Sequence, residues 1–142
     1  MSYYDTKQAL ITRLLGLTIT GIASGDIAFE NNTFNPSAKD KFISAMFIPA
    51  TSESMSQSAS SSDEQRGIFQ VSVFVKLNGG SYDNTQLQIV DSILSGFIYN
   101  TTTVYNGQTV QILESTVNSG SNDESWFKRD ISINYLTFSE RV

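Results

Sequence analysis

The sequence predicts an α+β fold: one twisted antiparallel or mixed sheet of about five strands, with two helices packed on one face. Three observations carry this. Residues 67–77 alternate cleanly, with Phe69, Val71, Val73 and Val75 on one face. Two stretches, 3–16 and 82–98, repeat apolar residues at helical spacing. Runs of strands with helices at only two points argue for α+β, not for alternating βαβ units. With 142 residues the chain is expected to form one domain, 1–142, large enough to bury a core without staples.

Each element can be justified in chain order. Residues 3–16 place Leu10, Ile11, Leu14 and Leu15 on one stripe, and Gly16 is a plausible stop. Residues 26–30 are a short strand with Ile27 and Phe29 on one face, followed by turn residues Asn31-Asn32 and Phe34-Asn35-Pro36. Residues 41–49 form the second strand. Phe42, Ser44, Met46 and Ile48 share one face, and Ile43, Ala45 and Phe47 the other. Both faces are largely apolar, so this strand is expected to be covered on both sides or to sit in an interface. Pro49 marks its end or an edge. Pairing it with 67–77 is expected to set Phe42 opposite Val75, Met46 opposite Val71 and Ile48 opposite Phe69.

Between these strands, 52–62 hold seven serines in eleven positions, and Asp63-Glu64-Gln65 completes a polar stretch. Residues 52–66 are read as a flexible hairpin loop, either a disordered tip or an arm that orders against a neighbour. Met55 is its large apolar side chain. Asn78-Gly79-Gly80 makes a turn. The second helix, 82–98, buries Leu87, Val90, Ile93, Leu94 and Phe97, with Asp83 as an N-cap or first-turn anion. Asn106-Gly107 joins short strands. A register centred on the 118–125 loop sets Val110 opposite Ile133, Ile112 opposite Ile131 and Glu114 opposite Arg129.

The chemistry is narrow. Cys and His are both absent, which removes disulfides, thiolate and imidazole metal ligands, and Ser-His-Asp or Cys-His nucleophilic catalysis. Gly79-Gly80 lacks the Lys-Ser or Lys-Thr of a phosphate loop. Asp63-Glu64 and Asp123-Glu124 read as solvated loop carboxylates, and the 121–124 loop lacks the spacing of a hard-cation site. A net charge of −5 argues against nucleic-acid binding as a primary function. No signal peptide and no membrane-length apolar run is seen, so synthesis in a cytoplasm is expected. No catalytic residue, cofactor, metal or small-molecule substrate is assigned. The residues left for function are Met55, Asp63, Glu64, Arg66, Trp126 and Phe127, as candidates for a subunit interface. For Trp126 and Phe127, packing at a strand end is the competing reading.

Asn32-Thr33-Phe34-Asn35-Pro36, Ile48-Pro49-Ala50, Gly67-Ile68-Phe69-Gln70-Val71-Ser72-Val73, the Gly79-Gly80 turn, the helix ending at Phe97 and Ile131-Ser132-Ile133-Asn134-Tyr135 together resemble the tail terminator (tail completion) proteins of long-tailed bacteriophages. The resemblance lies in their order and spacing, over roughly residues 4–138; the serine-rich 52–66 segment departs from it. It implies a subunit of a ring, expected to be a hexamer, at the head-proximal end of the virion tail. That ring would cap the tail tube, end its polymerisation and present the surface that joins the head–tail connector. DNA would pass through without specific binding. Another neck or adaptor protein of the head–tail joint, or a monomeric phage-encoded binding or assembly module, are the competing readings.

Overall fold

A computed structural model describes residues 3–19, 21–30, 34–36, 39–54, 62–77, 84–123 and 125–140. The expected Asn31-Asn32 turn, Gly79-Gly80 turn, the Asp83 cap and Met55 lie outside them. The elements are α1 (Tyr3–Leu15), β1 (Ile27–Phe29), β2 (Lys41–Ser54), β3 (Ser62–Lys76), α2 (Asn84–Gly96), β4 (Thr102–Tyr105), β5 (Gln108–Val117), β6 (Ser121–Asp123) and β7 (Trp126–Glu140). They build one sheet in the order β1-β2-β3-β7-β5-β4, with β6 paired to β7. The α+β class holds, but the sheet has seven strands where about five were expected. It is mixed because β1 runs parallel to β2.

One face of the sheet carries the core. Ile43 and Ala45 of β2, the Phe69–Val75 alternation of β3, Ile131 and Ile133 of β7, and Val110 and Ile112 of β5 all pack under the two helices. Helix α1 contributes Ala9, Leu10 and Leu14, and α2 contributes Ile89, Val90 and Ile93. The helical stripes differ from the expected ones by one position. Leu15 and Leu87 are exposed, whereas Thr6 and Gln86 are fully buried. Arg13 of α1 donates to the Gly96 carbonyl at 2.8 Å, a cation on the negative end of α2.

Two expected registers are corrected. In the β2–β3 pair, Phe42 faces Phe74, Ala45 faces Val71 and Phe47 faces Phe69. The expected register was one residue off, so Ile43, Ala45 and Phe47 take the core side. Both faces of β2 are apolar, and burial alone could not choose between them. Phe42 is buried on the opposite face instead, stacked on Phe74 at 4.5 Å and edge-on to Trp126 at 4.9 Å. In the β5–β7 pair, Ile112 faces Tyr135 and Val110 faces Thr137, four residues from the expected register. The cause is that much of the 118–125 segment is not loop: β6 folds back on the start of β7, with Asp123 opposite Trp126. A bulge between Ile112 and Ser115 then re-sets the ladder. The expected Glu114–Arg129 pair does not form. Arg129 donates to Gln86 Oε1 at 3.1 Å and to the Asn118 carbonyl, and Asn134 donates to the Glu114 carbonyl at 2.9 Å.

The Asn106-Gly107 turn is as expected, both residues having positive φ between paired Tyr105 and Gln108. The outer edge of β2 is covered by β1 only at residues 43–45. Beyond that, the Phe47 N–H points outward and donates to Glu30 Oε1 at 2.6 Å. Pro49, two residues on, has no N–H to offer.

Candidate functional site

The hairpin arm is longer than its composition suggests. Strand β2 continues to Ser54 and β3 begins at Ser62, so 52–54 and 62–66 are ladder where loop was expected. β7 backs the arm as a third strand, with Glu64 opposite Phe138 and Arg66 opposite Leu136. Across the hairpin, Glu53 stands opposite Glu64 and Ser54 opposite Asp63. Like charges directly opposed weaken a strand pair. Arg66 offsets part of this by donating to the Glu64 carboxylate at 2.5 Å.

The candidate residues divide into three places. Glu64 and Arg66 lie on the arm, on the face away from the helices, and Asp63 is their neighbour in the strand. Trp126 is at the opposite end of the sheet, facing Lys76 across the β3–β7 pair. Ten residues of β3 separate Arg66 from Lys76, roughly 33 Å. Phe127 belongs to neither group. It packs against the core, with Arg129 over its ring at 6.0 Å. A β-carbon on Gly120 would fall within 2.1 Å of that ring, which is why a glycine sits there.

Around Trp126 the helix-free face carries an aromatic cluster. Phe34 packs on Phe42 at 5.0 Å, Phe42 on Phe74, and Trp126 edge-on to Phe42. Lys39 stands over the Phe34 ring at 5.8 Å and Lys128 over Phe74 at 5.7 Å. Lys39 also binds Asp26 at 2.6 Å, and this bond, with that from the Ala23 N–H, holds the Asp26 carboxyl below its usual range.

At the arm end, where the β5 bulge opens the ladder, a cleft of about 350 Å³ is lined by Arg66, Gly67, Tyr99, Leu113, Glu114, Asn134 and Tyr135. Burial pushes the Tyr135 hydroxyl up to about 12, so it stays protonated at neutral pH and is no nucleophile. Among the described residues no group of three Asp or Glu side chains could hold a metal ion. No described helix is long and apolar enough to cross a membrane.

Sequence reasoning missed Gln86. It is fully buried, donates to the Val73 and Phe127 carbonyls at 2.9 and 3.0 Å, and accepts from Arg129. Nothing in its sequence neighbourhood marks a glutamine as the pin between α2 and the sheet.

The fold and these surfaces define a small sheet-built protein whose distinctive residues lie on strand faces and at strand ends. The family model described as phage tail terminator protein matches residues 5–135, and the chain belongs to that family, the structural proteins of the phage tail. No curated protein matches the sequence. Twelve solved chains match. One of them, which carries only a sequence label for a name, is 21% identical with a TM-score of 0.73, covering 96% of each chain. At that identity the likeness shows the fold.

Proposed function

We propose that the chain assembles into a ring of six copies that caps the phage tail tube at its head-proximal end. The ring ends tube polymerisation and offers its other face to the head–tail connector. The observation that carries this reading is the family match over nearly the whole chain. The work is steric and templating: one ring face accepts the last tube ring and the other accepts no further tube subunit. In a closed ring each contact joins two different patches. The arm and the Trp126 end, at opposite ends of one sheet, supply two such patches. DNA passes through the ring without being bound.

The test is negative-stain imaging of the purified protein, alone and with tail tubes that lack a terminator, scoring tube length. Six-fold rings, or rings at tube ends with growth arrested, are expected. Tubes that keep growing with no ring at their ends would overturn the reading.

A further inference from the structure

The described strands of the arm, 51–54, 62–66 and 136–140, hold four carboxylate residues, Glu53, Asp63, Glu64 and Glu140, against one cation, Arg66. That net −3 lies within a chain of net −5. Glu53 directly opposes Glu64, an arrangement that costs stability in an isolated strand pair. Next to Glu64, on β7, Phe138 is half-exposed. On the face away from the helices the arm thus sets the half-exposed Phe138 beside Glu64, and among the described residues Arg66 is the cation paired with Glu64.

The opposite end of the same sheet face has the complementary character. Lys39, Lys76 and Lys128 surround the Phe34–Phe42–Phe74–Trp126 cluster. Asp26 and Asp130 approach Lys39 and Lys128 at 2.6 and 3.7 Å. Lys76 is exposed, opposes Trp126 and makes no ion pair among the described residues. The two regions are too far apart along β3 to meet within one subunit.

We infer that the occupant of the lysine-rimmed aromatic cluster is the arm of a second copy of this chain, with Phe138 set against the aromatic rings and the arm carboxylates facing Lys76 and Lys128. This rests on the ring reading above and names its contact. Glu64 and Trp126, two of the residues the sequence put forward together, become the two halves of one heterologous interface. Because the contact is head-to-tail, each copy offers an arm to one neighbour and a cluster to the other.

Charge reversal in the full-length protein tests it, with sedimentation at low salt as the readout. Glu53→Lys creates an opposite-charge pair with Glu64, so the arm keeps its fold while its charge falls. Lys76→Glu reverses the exposed lysine of the cluster. Each single variant is expected to weaken assembly by about tenfold, equivalent to about 1.4 kcal/mol, and Glu53→Lys with Lys76→Glu in one chain is expected to restore most of it. Wild-type assembly should also weaken as salt rises. Single variants that assemble like wild type, or a double variant weaker than either single, would overturn the contact while leaving the ring intact. A wild-type protein that stops at a dimer would refute head-to-tail pairing. One that stays monomeric even on tubes would refute the ring itself.

Discussion

Replacing Gly67 with alanine tests the packing of the arm's root. Gly67 lies in β3 between Pro49 and Tyr135. A β-carbon there would stand 2.5 Å from the Ile48 carbonyl oxygen, 2.5 Å from the Tyr135 hydroxyl and 2.8 Å from that ring's Cε2. Ordinary contact begins at 3.4 Å, so two neighbours must each yield about 0.9 Å. One of them is backbone inside a paired strand. The other is the end of a ring with 1% of its surface exposed, stacked on Phe47 at 5.6 Å. Overpacking of this kind costs about 1–3 kcal/mol, and the backbone clash places Gly67→Ala near the upper value. For a domain of this size, about 2–3 kcal/mol lowers Tm by about 4–12 °C. Tyr135→Phe separates the two clashes. Its hydroxyl is buried with no hydrogen-bond partner among the described residues, so losing it should be neutral or stabilising by up to about 1 kcal/mol. In that background Gly67→Ala should cost less, because the hydroxyl clash is gone while the carbonyl at 2.5 Å and the ring edge at 2.8 Å remain. The assay is urea unfolding of the wild type and the three variants. Equal midpoints for wild type and Gly67→Ala, or a strong loss on Tyr135→Phe, would refute the geometry.

Other predictions follow from the same map. Tyr135 ionises at about 10 when unfolded and about 12 when folded, so its contribution is complete below pH 10 and is lost as pH rises towards 12. Stability should fall by about 1.4 kcal/mol per pH unit across that window, and unfolding of Tyr135→Phe should lack this component. Gln86→Ala leaves the buried Val73 carbonyl, the part-buried Phe127 carbonyl and the Arg129 side chain without their shared partner and should cost about 2–4 kcal/mol; a midpoint within error of wild type would contradict it. Val71→Asp puts an unpaired charge at a fully buried core position and should leave no folded protein at 25 °C, which circular dichroism would show. Exchanging residues 55–61 for a two-residue Asn-Gly turn should spare the fold and weaken ring assembly. A variant that assembles normally would remove the arm tip from the interface.

The legible parts of the sequence were those where one signal had no rival. β3 alternates apolar and mixed residues, and Phe69, Val71, Val73 and Val75 all reached the core. Asn106-Gly107 admits few backbone shapes and made the turn expected of it. β2 was ambiguous because Phe42 and Ile43 both end buried, on opposite faces of the sheet. Its alternation located a strand without saying which side was inward. The β5–β7 register failed for another reason: three residues of an expected loop became β6, and hairpin geometry then moved every pair beyond it. The candidate interface residues were picked one by one for chemistry. Only the sheet revealed that Trp126 and Phe127, adjacent in sequence, look in opposite directions, and that the arm and the Trp126 end are a strand-length apart.

The outer edge of β2 beyond its cover by β1 has a further consequence. A strand seeking to lengthen this sheet would, at Phe47, have to displace a carboxylate already bound to the N–H, and at Pro49 would find no hydrogen to accept. Sheet growth by backbone pairing is thereby discouraged at its most extended border. Copies crowded together can still join through side chains, but this stretch of the β2 edge, at Phe47 and Pro49, offers no backbone partner from which to begin an open-ended fibre.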